Sequence, residues 1–295
     1  MNPLGDLRPR CCRFAIPLFL SLILVLSCSP PVQRPTGLAA DYADAKEMFK
    51  RGRLDRVIDI TEGVAETTPP GKYVYEARVL RAVVFSGQVR AFKDLADSYG
   101  KGQKATHYAD YAVAYRRHRQ DALQMGGNDA LGLGEVAQQF IAEGSLPKEL
   151  TLDAPWPEAE GPESVAQLDQ VRQGARVSSE DLDAASIDAR RKGIDDALAA
   201  IVGGDRAKAR TALAAGPVKL DGVDFAIFLD KELLNAARMF DNQHLQDPDK
   251  LKTLCSLADS VAQQALARLK ETPNMDQEKE IKKVQTSIKK MMQTA

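Results

Sequence analysis

The residues best suited to recognise another molecule form one short cluster of tyrosines and cations. Tyr108, Tyr111 and Tyr115 recur at helical spacing, so they share one face of a predicted helix. The cationic residues near them are Lys101, Lys104, Arg116, Arg117 and Arg119. If exposed, this cluster would suit a peptide, a carboxylate or an anionic glycan. The alternative is that the tyrosines pack inward with their hydroxyls at the edge, while the arginines face water.

Residues for catalysis or metal binding are sparse. Residues 100–106 are rich in glycine and lysine, but they lack the spacing and the preceding strand of a phosphate-binding loop. The paired carboxylates Asp195 and Asp196 fall on a helix face that we predict to be exposed. The three histidines stand singly, without the spacing of a metal site: His107, His118 and His244. We therefore predict that the protein is not an enzyme and has no metal or cofactor.

The amino-terminal segment predicts export. A hydrophobic run from Phe14 to Leu26 follows a stretch with three arginines. The run is shorter than the roughly 20 apolar residues that span a bilayer. It ends just before Cys28, which Ser27 precedes. This arrangement resembles the lipobox of bacterial lipoproteins, in which a small residue precedes a cysteine that is acylated and becomes the mature amino terminus.

The resemblance implies a signal peptide at residues 1–27 and lipid attachment at Cys28. It also implies a location, because Ser29 after the acylated cysteine is compatible with transport to the periplasmic face of the outer membrane. Residues 28–37 are rich in proline and predict an extended tether. The alternatives are an ordinary signal peptide and an uncleaved anchor helix. Val25 fits an ordinary signal peptide poorly, because small residues are preferred before the cleavage site. The hydrophobic run is too short for an anchor helix.

Composition indicates a globular domain, with 44% hydrophobic and 27% charged residues. Loss of the signal peptide removes three arginines and one aspartate, which leaves a formal charge of about −3. No basic field remains to suggest nucleic acid as a partner. Beyond Cys28 the only cysteine is Cys255, so an intramolecular disulfide is not expected, and its apolar helical pattern indicates a core residue.

Helical periodicity runs almost throughout the remaining chain and predicts an all-α fold. Gly52, Gly87 and Gly203 each stand between two apolar helical segments, where glycine commonly ends a helix. Gly52 and Gly87 are 35 residues apart, and the pair Gly126 and Gly127 follows after a similar interval. We therefore predict short turns at these glycines and antiparallel helical hairpins between them.

The spacing, together with small residues at Ala45 and Ala197, resembles tetratricopeptide repeats. The resemblance implies a solenoid of helical hairpins. Leu80 and Phe92 depart from it, because both are bulky where the repeat has a small residue. The hairpins predicted in this way are residues 38–68, 73–100 (a degenerate one) and 194–216.

The segment 144–163 contains several prolines and glycines, so it predicts either a linker or a connection laid across the helices. The linker would divide the chain into lobes at residues 38–143 and 164–295. Trp156, the only tryptophan, lies between two prolines. It is either an anchor for a partner or a plug that holds the segment onto its own domain.

The last helix is amphipathic and basic. Its apolar stripe consists of Ile281, Val284, Ile288 and Met291, and lysines cover the remainder. Such a helix suits either an anionic membrane surface or the closing cap of a helical array.

Together these features predict a lipid-anchored, non-catalytic helical scaffold that binds an envelope protein or peptide. The alternative is a solute-binding component with a small-molecule ligand, since helical-repeat lipoproteins associated with tripartite solute transporters are similar in layout. A closed apolar cavity lined by the three tyrosines would favour that alternative. Packed tyrosines beside an open groove would favour the scaffold.

Overall fold

The computed structural model describes residues 36–158 and 165–294. The predicted signal peptide at residues 1–27 and Cys28 lie outside the described residues. The described chain is mostly helical, which confirms the all-α prediction. Its helices and strands are α1 (Leu38–Lys50), α2 (Leu54–Ala65), α3 (Lys72–Ala105), α4 (Ala109–Ala142), β1 (Glu149–Leu152), α5 (Val165–Arg172), α6 (Ser179–Val202), α7 (Arg206–Ala215), β2 (Val218–Asp221), α8 (Gly222–Ala237), the short 3-10 helix Arg238–Phe240, α9 (Pro248–Leu269) and α10 (Met275–Thr294).

Helix α3 is the centre of the fold. It is 34 residues long, and its buried side chains point in every direction around the helix axis. A helix of this kind must be enclosed by other elements. It packs against α2, α4, α5 and α6, and its longest contact is with the antiparallel helix α4. Three of its charged side chains are also buried, namely Glu76, Arg78 and Arg81.

Two glycines allow α3 and α6 to touch at the backbone. A Cβ atom at Gly87 would lie 2.8 Å from both the Cα and the backbone nitrogen of Ile194, and one at Gly193 would lie 2.1 Å from the carbonyl oxygen of Gly87. The predicted turn at Gly87, and with it the hairpin at 73–100, is therefore wrong, because α3 continues through this position. Gly126 and Gly127 likewise lie inside α4.

Two other predicted turns are confirmed. Gly52, with φ of +68°, separates α1 from α2, and Gly203, with φ of +76°, ends α6 before α7 begins. Both glycines adopt the left-handed conformation that closes a helix. The predicted small residues Ala45 and Ala197 are fully buried in these hairpins. At these two positions the helix ending was predicted correctly from the sequence.

The proline-rich segment contains a strand that the periodicity did not predict. β1 pairs antiparallel with β2, and Leu150 lies opposite Leu220. From Gly37 onward the described residues form one compact unit. The predicted division into lobes at 38–143 and 164–295 is therefore not observed. The two halves form one unit because α3 of the first half packs directly against α6 of the second.

Helix α10 closes the carboxyl-terminal end of the fold. Ile281, Val284 and Ile288 are buried, and the helix packs against α8 and α9. Its apolar stripe therefore faces the protein, as the cap interpretation requires. Among the described residues, no helix combines the length and the apolar character needed to cross a membrane.

Candidate binding surface

The three tyrosines lie at the start of α4, and most of their surface is used for packing. Tyr108 contacts Tyr111, and Tyr111 contacts Tyr115, each pair edge to face with ring centroids 6.4 and 6.2 Å apart. Tyr115 is fully buried, stacks against Tyr99, and donates its hydroxyl hydrogen bond to the carbonyl of Ala175. Burial raises the pKa of Tyr115. Tyr115 is therefore a core residue.

A guanidinium of the protein itself covers the outer tyrosines. The Arg176 side chain lies 4.0 Å from the ring centroid of Tyr108 and 5.8 Å from that of Tyr111. Stacking of this kind satisfies the aromatic faces as a bound cation would. Tyr108, 44% exposed, is the most accessible of the three. The tyrosines thus pack inward, as the alternative in the sequence analysis has it.

The cations beside the tyrosines have no carboxylate partner in the described part of the chain. Within residues 36–158 and 165–294, no carboxylate lies within 4 Å of the side-chain nitrogens of Lys101, Lys104, Arg116, Arg117 or Arg119. Four of them are exposed, and Arg119 is half-buried. These five cations without a carboxylate partner concentrate positive charge on a chain whose net charge is negative. We call these five residues the basic surface.

An open cleft runs between the two helices that carry the basic surface. Lys101 and Lys104, one helical turn apart on α3, form one wall together with Asp97, and Arg119 of α4 forms the other. The Asp97 carboxylate is already bound to Lys93 and His244. Arg119 donates a hydrogen bond of 2.6 Å to the carbonyl of Gln243, which also lines the cleft. Arg116 and Arg117 precede Arg119 on α4 and lie outside the lining of the cleft. The arrangement suits an anionic group that inserts between the two helices.

A histidine held by two carboxylates fixes the loop beside this cleft. His244 is buried; its Nδ1 lies 2.7 Å from Asp241 and its Nε2 lies 3.1 Å from Asp97 of α3. The bond to Asp97, followed by that to Asp241, raises the pKa of His244. The same bond and Lys93 lower the pKa of Asp97. This clamp was not predictable, because Asp97 and His244 are far apart in sequence.

Trp156 lies against its own domain. Its side chain is half-buried and packs on the hydrophobic core, while the Arg210 guanidinium lies 5.2 Å from its ring centroid. This geometry corresponds to the plug interpretation. Trp156 is not part of the basic surface. Of the predicted binding residues, only Arg116 and Arg119 belong to that surface.

The remaining candidates for chemistry have structural partners. The ring of His118 lies 5.4 Å from that of Tyr99. Asp195 and Asp196 are half-buried, contrary to the prediction that they are exposed; Arg206 binds Asp196 at 2.6 Å, and burial raises the pKa of Asp195. Cys255 is buried, which raises the pKa of its thiol to about 11. In the described ranges, no group of three or more potential metal ligands comes together.

Comparisons with known proteins add no identification: no family model, no curated protein and no solved structure matches this chain.

Proposed function

We propose that this protein is a lipid-anchored, non-catalytic helical scaffold on the periplasmic face of the outer membrane, and that its basic surface binds an acidic segment of an envelope protein. Cys28 supports the anchor through its resemblance to the lipobox. The hairpins α1–α2 and α6–α7 are the parts that support a repeat-like origin, packed around the long central helix α3.

The observation that carries the proposal is the group of five cations that have no carboxylate partner among the described residues. Cations on protein surfaces commonly have carboxylate neighbours, and this chain pairs many of its own: Lys93 binds Asp97, Arg172 binds Asp94, and Arg190 binds Asp55. Lys101 and Lys104 follow Lys93 on the same helix but have no such partner in the described chain. Complementary charge steers association and selects the partner more than it adds affinity.

The geometry around the tyrosines supports a scaffold over solute capture. Capture of a small apolar molecule requires a concave and largely enclosed site. Here Tyr115 is buried and bonded to Ala175, and Arg176 covers Tyr108 and Tyr111. The cleft beside them is open and lined by charged side chains, as an acidic protein segment requires.

The proposal is tested by the size of the native assembly. Envelopes are solubilised in a mild detergent, and the tagged full chain is followed by size-exclusion chromatography. Wild type is expected in a complex larger than the protein alone. The charge-reversal variant Lys101→Glu/Lys104→Glu is expected to lose that complex, because it repels an acidic partner.

The matched control is Lys279→Glu/Lys289→Glu, which makes the same change of charge at two exposed positions of α10. It should retain the complex. A complex that survives Lys101→Glu/Lys104→Glu, with far-ultraviolet circular dichroism unchanged, would contradict the assignment of the basic surface. So would a wild-type chain that elutes alone.

A further inference from the structure

A second surface is a long groove on the carboxyl-terminal side of the fold, which adjoins the cleft of the basic surface at Gln243. Two clefts of about 790 and 510 Å³ lie between α8 with its following 3-10 helix and the helix α10. Both clefts are lined by Arg238 and Ser287, so they are adjacent, and we describe them together as one groove. It begins at β2 and ends at the loop that follows Phe240. We call it the α8–α10 groove.

The floor of this groove is apolar. Ile227, Phe228 and Val284 line its first part and Phe240 and Leu251 its second part. Each is nearly buried, so only a small part of each side chain faces the groove. A groove with such a floor accepts the side chains of an extended segment, which project at regular intervals.

Five carboxylates line the groove, and each has a partner within the protein. Glu232 binds Arg90 at 2.9 Å, Glu280 binds Lys231 at 3.0 Å, and Asp224 accepts a hydrogen bond of 2.7 Å from Gln277. Asp221 accepts hydrogen bonds from the first backbone amides of α8, and Asp241 lies 2.7 Å from His244. Two rim cations, Arg238 and Lys283, have no carboxylate within 4 Å in the described chain.

The geometry of β2 adds backbone groups at the start of the groove. Gly222 donates a hydrogen bond of 3.0 Å to the carbonyl of Lys148, which continues the ladder between β1 and β2. In an antiparallel ladder, hydrogen-bonded and non-hydrogen-bonded pairs alternate. Leu220 and Val218 therefore bond to β1, whereas the amide and carbonyl of Lys219 point away from it. Lys219 lines the groove, and its side chain pairs with Glu149 of β1 at 2.9 Å. Among the described residues its outward amide and carbonyl have no backbone partner, so this edge of β2 can accept another strand.

We propose that the α8–α10 groove binds an extended peptide segment of a partner protein in which acidic residues alternate with apolar ones. The segment adds to the edge of β2 through the backbone of Lys219. Its apolar side chains lie on the floor, and its carboxylates bind Arg238 and Lys283. This site is distinct from the basic surface and does not depend on the function proposed for it.

Fluorescence anisotropy tests the proposal with two labelled decapeptides and the full chain in detergent. One peptide alternates glutamate with valine or leucine, and the other has lysine in place of glutamate. Wild type is expected to bind the acidic peptide at least about tenfold more tightly than the basic one. The variant Arg238→Glu/Lys283→Glu is expected to reverse this preference.

Two further variants sharpen the result. Lys279→Glu/Lys289→Glu carries the same charge change outside the groove and should bind as wild type does. Lys219→Pro removes the amide that points away from β1 while it leaves the ladder intact, and it should weaken the acidic peptide about threefold or more. If the charge-reversal variant fails to fold, Arg238→Gln/Lys283→Gln takes its place, and loss of the preference is then the expected result.

Three outcomes would overturn the proposal. The first is that neither peptide binds wild type. The second is that the acidic peptide binds the charge-reversal or neutral variant as tightly as wild type, or that the control on α10 weakens binding equally. The third is an unchanged affinity in Lys219→Pro, which would exclude strand addition.

Discussion

Substitution of Gly87 by alanine tests the packing that defines this fold. The new methyl group would lie 2.5 Å from the Cδ1 of Ile194 and 2.8 Å from its Cα and backbone nitrogen. The side-chain end of Ile194 can rotate away. Its backbone atoms cannot, because they belong to α6. The substitution must therefore separate α3 from α6 at the centre of the molecule.

The magnitude follows from two opposing effects. Alanine is favoured over glycine inside a helix by about 1 kcal/mol. Overpacking of a core contact costs roughly 1–3 kcal/mol, and a clash with backbone atoms belongs at the upper end of that range. The net effect is a loss of about 2 kcal/mol in the free energy of unfolding. For a chain of this size it lowers Tm by about 4–8 °C.

Thermal unfolding followed by circular dichroism measures this loss, and Gly63→Ala is the matched control. Gly63 lies in α2 with no atom within 4 Å of its hypothetical Cβ, so alanine there should raise the stability by about 0.5–1 kcal/mol. The double variant Gly87→Ala/Gly193→Ala should lose less than the sum of the single losses, because both act on one crossing. An unchanged or raised Tm in Gly87→Ala would refute the close contact of α3 and α6.

The remaining predictions concern titration and the anchor. The pKa of His244 is raised in the folded protein, so its contribution to stability is complete below about pH 6.5 and is lost as the pH rises through that folded pKa. The pKa of Asp97 is lowered, so its contribution is lost as the pH falls below about 4. His244→Gln should therefore lower Tm most between these limits, and an equal loss at pH 9 would contradict the clamp. Asp230 is fully buried and has no hydrogen-bond partner within the described residues; burial, followed by Asp259, raises its pKa. Asp230→Asn should thus stabilise the protein more at about pH 7.5 than at about pH 4.5, and the same Tm shift at both would contradict an uncompensated carboxylate. Cys28→Ala should move the folded protein from the membrane to the soluble fraction, and its retention in the membrane would contradict the lipid anchor.

The sequence was most informative where local chemistry decides the structure. Helical periodicity predicted an all-α fold, and the apolar residues that recur at helical spacing along α1, α8 and α9 are buried. The endings at Gly52 and Gly203 were also predicted, because a left-handed residue after a helix favours glycine wherever it occurs.

The same reasoning wrongly predicted a turn at Gly87, where glycine allows close helix packing and does not end a helix. Gly87 lies within an ordinary helix, and glycine is required there because another helix crosses it. Nothing in the neighbouring sequence separates a glycine that ends a helix from one that admits a partner helix. Glycine is required at position 87 because α6 crosses α3 there at Gly193, more than a hundred residues later in the sequence. The predicted repeat at 73–100 was lost with that turn.

Long-range pairing also explains what was missed at the sites. The clamp of His244 and Asp97, the pair β1–β2 and the ion pair of Arg90 with Glu232 each join residues distant in sequence. The tyrosine and cation cluster was visible because its members are close neighbours on α3 and α4. Its accessibility was not visible, since Arg176, which covers Tyr108, comes from the turn before α6.

The most direct test of the scaffold is crosslinking in living cells from a photoreactive residue placed at Arg116, followed by mass spectrometry of the products. Arg116 is exposed beside the cleft, so the probe samples whatever the basic surface binds. We predict one reproducible envelope protein, crosslinked through an acidic segment and absent when the probe is placed at Lys279. A small molecule in place of a protein, or no product specific to Arg116, would contradict the account.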